Sequence, residues 1–178
     1  MKREVYLGLA RSGLRMPIGA DLVLHEGPNP DAVVRDGRAL GQVVEETARR
    51  YQTPLAFTHM DLQLEKTVLL ELLGVPAPDI PLFHFPSDPG ADASARVDAG
   101  LRGALNPALR AHIDSVAYIA CTTDLVPIGM TIGPFSLMSK LLKDPITPLY
   151  LAGSGVAAAE DPDVALLERA LELSVAAS

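Results

Sequence analysis

The sequence predicts an α/β fold built from four βα units. Three observations predict it. Short apolar runs recur along the chain, at 21–26 (DLVLHE), 55–61 (LAFTHMD), 81–85 (PLFHF) and 126–135 (VPIGMTIGPF). Stretches of helical periodicity separate them, which favours parallel strands joined by right-handed crossovers. Each of the first three runs ends in histidine or carboxylate, and the fourth ends in Gly-Pro-Phe. In a parallel sheet that edge is where loops carry the polar groups that bind ligands.

The elements follow in order. Residues 18–25 read as a short buried strand ending in His25-Glu26. Asn29-Pro30 then opens a helix, with Asn as N-cap and Pro at the first helical position, where its missing N–H costs nothing. Along 30–51, Val33, Gly37, Leu40, Val44, Thr47 and Tyr51 share one helical face, and the opposite face is charged. Strand 54–59 leads into helix 62–73, closed by Gly74. Strand 80–85 leads through SDPGADAS into helical material at 92–105 and 107–121. Strand 126–132 leads into helix 135–142, and Asp161-Pro162 opens a last helix with Val164, Leu167, Leu171 and Val175 on one face. No Gly/Ser linker divides the chain, so residues 1–178 are expected to form a single domain. Four units amount to half an eight-stranded barrel or nearly a small open doubly wound sheet, and periodicity alone leaves both open.

Composition excludes several function classes. Acidic residues outnumber Lys plus Arg by 22 to 15, a formal charge of −7, which disfavours nucleic-acid and anionic membrane partners. The single Cys121 excludes an internal disulfide and any cysteine-rich metal cluster within the chain. With no long apolar segment and no signal-like amino terminus, the expected location is cytoplasmic.

The candidate site residues lie at the strand ends. Asp61 either faces a pocket or caps the helix DLQLEK, with Glu65 in its first turn. His25 and Glu26 read as an acid/base or ligand-binding pair, or as groups hydrogen-bonded to a loop. His59, two residues before Asp61, would share its face on a strand. His84 carries the same pair of readings. His112, in a helix among Arg110, Asp114 and Ser115, reads as a surface histidine. Three strand-end histidines invite a zinc site, yet no HExxH-type spacing is present. Gly129, Gly133, Gly153 and Gly155 form neither GxGxxG nor a Walker A loop, which argues against nucleotide binding.

Beyond these readings, roughly residues 15–175 resemble the uroporphyrinogen decarboxylase superfamily, which includes the decarboxylases of haem synthesis and the cobalamin-dependent methyltransferases. The resemblance rests on PIGADLVLHE, ETARRYQTPLAF, MDLQLEK and LVPIGMTIGPFSLMSKLL, the last being similar to the family's Gly-x-Pro-Phe/Trp-Thr-Leu signature. It implies that the four βα units are the first half of a (β/α)8 TIM barrel. It also makes Asp61 resemble the decarboxylases' catalytic aspartate, with His25, Glu26, His59, His84, Pro134, Phe135 and Lys140 as substrate-binding positions. The decarboxylases' arginine-rich segment after the first strand is replaced by LVLHEGPNP, and their tyrosine after Thr-Leu-x-Ser by Lys140. These departures imply the methyltransferase-like branch, with methyl transfer from a corrinoid to a thiol. The alternatives are a decarboxylase of haem biosynthesis and a non-catalytic partner-docking half-barrel. Zinc and cobalamin are implied by the family only, since the branch's His-x-Cys pair and distant Cys have no counterparts here. A small-molecule or corrinoid substrate, and a homo-oligomer or complementary second-half chain, are the implied partners.

Overall fold

A computed structural model describes residues 3–13 and 19–178. It corrects the expected fold class: among the described residues helix accounts for 60% and strand for 4%, with one two-stranded parallel sheet in place of four βα units. The chain divides into two compact units, residues 1–60 with 107–130 and residues 61–106 with 131–178.

The first unit holds helices α1 (Arg3–Arg11), α2 (Ala20–Glu26), α3 (Pro30–Val33) and α4 (Gly37–Arg50), then strand β1 (Leu55–Phe57). The chain returns to it as α7 (Pro107–Thr122) and strand β2 (Val126–Ile128). The expected first strand is therefore a helix. Its buried residues Ala20, Val23 and Leu24 sit at i, i+3 and i+4, and Ala, Leu and Glu favour helix. Residue 18, where that strand was expected to begin, lies outside the described residues. The expected helix 30–51 is interrupted, and its second part is capped by Asp36, whose carboxylate accepts the N–H groups of Arg38 and Ala39, both at 2.9 Å. Leu40, Val44 and Thr47 are buried as the spacing predicts, whereas Tyr51 is exposed.

Strands β1 and β2 pair in register Leu55↔Val126, Ala56↔Pro127 and Phe57↔Ile128. Pro127 has no N–H to donate, so the ladder is anchored on either side of it. Val126 N–H donates to Pro54 O at 2.8 Å and Thr58 N–H to Ile128 O at 3.1 Å. Behind the pair, Ala20, Val44, Ala48, Ala56 and Ile119 form a small aliphatic core.

The second unit holds α5 (Leu64–Leu72), a 3-10 turn at Ile80–Leu82, α6 (Ala93–Leu101), α8 (Pro134–Leu141), α9 (Ile146–Gly153) and α10 (Pro162–Ala177). Its core draws on Leu69, Leu70, Val97, Leu137, Met138, Leu141, Leu167 and Leu173. The expected strand 80–85 is absent because Pro81 favours a tight turn and lacks a ladder donor. Phe85 instead donates its N–H to Leu141 O at 2.8 Å and buries its ring. In α10, Val164 and Leu167 are buried, but the stripe continues through Ala170, Leu173 and Ser174, leaving Leu171 and Val175 exposed. No helix among the described residues is long and apolar enough to cross a membrane.

Candidate functional site

In the first unit, the carboxyl ends of β1 and β2 lead into Thr58-His59 and Gly129-Met130. The two exits are tied together, since Met130 N–H donates to Thr58 Oγ1 at 3.2 Å. His59 follows β1 with its side chain only 11% exposed, and its Nε2 lies 3.1 Å from Asp21 Oδ1. Asp21 is in the first turn of α2, so a helix in place of the expected strand is what brings it there. One turn on, His25 is exposed; its Nδ1 lies 2.8 Å from Asp21 O and 3.5 Å from Asp21 Oδ1. Asp21 thus stands between two of the sequence-predicted histidines.

Glu26 is occupied elsewhere. Arg50 donates to it at 2.6 Å and to Glu46 at 2.5 Å, and these two carboxylates raise the Arg50 guanidinium above its ordinary pKa. The His25–Glu26 pairing considered from sequence is therefore not formed. On α7, His112 is buried rather than on the surface, because it shares a helical face with Ser115 and Ile119. Its ring lies 5.7 Å from that of His59, tilted by 52°. His112 Nδ1 lies 2.9 Å from Ala108 O. His59 Nδ1 and His112 Nε2 are both buried without a hydrogen-bond partner.

The second unit holds the other predicted residues. Asp61 accepts the Gln63 N–H at 2.8 Å within the turn before α5; the N-cap position of α5 is Gln63 and carries no side-chain cap, so the cap expected at Asp61 is not formed. Glu65 Oε1 accepts the Thr131 hydroxyl at 2.7 Å and the Ile132 N–H at 3.0 Å, which fixes the segment leading into the Gly133-Pro134-Phe135 start of α8. Phe135 and His84 are exposed, Pro134 opens α8 and Lys140 lies in its last turn. Lys66 is buried, its ammonium donating to Pro81 O at 3.2 Å. Burial, with a smaller contribution from the Lys140 charge, lowers the Lys66 pKa. A cleft of about 430 Å³ lies between Phe85, Leu142, Asp144, Thr147, Asp163 and Leu166, without the predicted site residues. The Thr147 hydroxyl, followed by the backbone N–H groups of Thr147 and Ile146, lowers the Asp144 carboxyl pKa.

Asp21 and Lys66 were not singled out from sequence, and Glu65 was read only as a first-turn acid. Lys66 precedes Leu69 and Leu70 by three and four residues, a spacing that marks its buried face. The zinc set implied by the family resemblance does not fit this chain. Cys121 is exposed on α7, and no group of three or more His, Cys, Asp or Glu among the described residues is placed to hold a metal ion. Comparison with known protein families, curated proteins and solved structures finds no match for this chain.

Proposed function

We propose that the chain is a small-molecule-binding component of the uroporphyrinogen decarboxylase superfamily's methyltransferase-like branch, serving methyl transfer from a corrinoid to a thiol. One observation carries the reading. Two resemblance segments, THMD and GMTIGPF, leave the carboxyl ends of the paired parallel strands β1 and β2, the edge at which α/β sheets bind ligands. At that edge Thr58, His59 and Asp21 offer hydrogen-bonding groups able to orient a protic acceptor such as a thiol. A methylated corrinoid, when bound, supplies the methyl group. The Asp21 carboxylate beside His59 makes the same edge unfavourable to a polycarboxylate, which ranks the decarboxylase reading lower.

Because the family's zinc ligands are missing, the remaining catalytic groups would come from a second chain. The same lack favours a second reading, a non-catalytic docking protein. Equilibrium dialysis of the intact chain against methylcobalamin and a small thiol tests the proposal. Saturable binding, weakened severalfold in His59→Gln, is expected. Absence of saturable binding of either ligand overturns it. Methyl transfer by the chain alone, with zinc added, excludes the docking reading. Tight porphyrin polycarboxylate binding that is lost in Asp61→Ala would restore the decarboxylase.

A further inference from the structure

We propose that His59 and His112 form a two-imidazole site for a borderline divalent metal ion of the zinc class, completed by water or a ligand. The argument begins with tautomers. A backbone carbonyl only accepts hydrogen bonds, so the 2.9 Å contact of His112 Nδ1 with Ala108 O places the ring proton on Nδ1. The Asp21 carboxylate does the same for His59 Nε2 at 3.1 Å. In each neutral ring the other nitrogen, His112 Nε2 and His59 Nδ1, then carries a lone pair.

Those two nitrogens are the ones buried without a partner. Leaving a buried acceptor unpaired is destabilising, so two on neighbouring rings call for an occupant. The outer contacts suit a metal: ligating histidines almost always donate their second N–H to a carboxylate or backbone carbonyl, and here one ring does each. The spacing also suits it. Two imidazoles sharing a tetrahedral ion at about 2.1 Å place their ring centres roughly 5–6 Å apart, and these lie at 5.7 Å. Imidazole donors favour zinc, copper, iron or nickel over magnesium or calcium. With two protein donors the site keeps open coordination positions, the arrangement that lets an ion meet a ligand. The inference is independent of the methyl-transfer reading, because metal uptake is measured without turnover.

The test uses the full chain carrying Cys121→Ser, which removes the exposed thiol as a competing ligand. Titration with cobalt(II), followed by its visible absorption, and competition with zinc should show one ion per chain. His59→Gln and His112→Gln should each abolish uptake, Asp21→Asn should weaken it about tenfold, and His84→Gln should leave it unchanged. Because His112 is buried and its substitution can unfold the chain, imidazole nitrogen NMR of the unsubstituted histidines gives a second measurement. Zinc should shift His59 Nδ1 and His112 Nε2 and spare His84. No uptake by the intact chain, undiminished uptake in both histidine variants, or two rings that share a proton without taking up metal would each overturn the proposal.

Discussion

Lys66 brings an ammonium group into the second unit with one carbonyl, Pro81 O, as its recorded hydrogen-bond partner. Its pKa is lowered in the folded chain, so above that lowered value the unfolded chain binds more protons. Stability should therefore rise with pH through the window between the lowered value and the ordinary lysine range near 10.5. Lys66→Met should stabilise the protein at pH 7 by about 1 kcal/mol, since an apolar side chain suits the site better than a poorly paired charge. That gain should shrink toward pH 10, as denaturant unfolding at the two pH values would show; an equal gain at both would refute the argument. The residue was legible in the helical spacing of 64–72. His112 was legible in the same way, through Ser115 and Ile119, yet its charged neighbours Arg110 and Asp114 suggested an exposed face. Asp21 was not legible as a partner of His59, because 38 residues separate them and only the fold brings the pair together.

Helices α4 and α7 approach closely at two glycines one turn apart. A Cβ at Gly37 would lie 2.4 Å from Asp114 Cβ, and one at Gly41 would lie 2.5–2.9 Å from Tyr118 Cδ1, Cγ and Cβ. These atoms sit near the α7 backbone and cannot swing aside. Alanine improves intrinsic helix propensity by about 1 kcal/mol, but overpacking costs about 1–3 kcal/mol. Gly41→Ala should therefore destabilise the protein, measured as a lower denaturant midpoint; an unchanged or higher midpoint would show that the helices can separate freely. Capping gives a separate prediction. The Asp161 carboxylate accepts the N–H groups of Asp163 and Val164 at 2.9 and 3.0 Å, so Asp161→Ala should cost about 1 kcal/mol. Asp161-Pro162 and its helix were readable because cap and proline act locally. The strands expected at 18–25 and 80–85 were misread because a short apolar run suits a buried helix or turn as well as a strand. Which one forms depends on the packing of Val23 and Leu24 in one case, and of Ile80 and Phe85 in the other.

For the whole molecule, a helix content of 60% with three-residue strands predicts a far-UV circular dichroism spectrum dominated by helix. A strong strand contribution would contradict the fold. The sequence by itself determined the locally encoded features: the acidic balance, the Asp161-Pro162 helix start, the helical phase of 40–47, and strands within the expected 54–59 and 126–132, of which 55–57 and 126–128 form. Each follows from residues a few positions apart. The caps expected at Asn29 and Asp61 do not form. Only the tertiary structure decided that the first and third apolar runs would not join a sheet, and that Asp21, His59 and His112 would meet. A strand persists only where another strand completes its hydrogen bonds, and two imidazoles meet only where separate helices and loops are packed together. Both conditions depend on contacts distant in sequence, which local periodicity does not record.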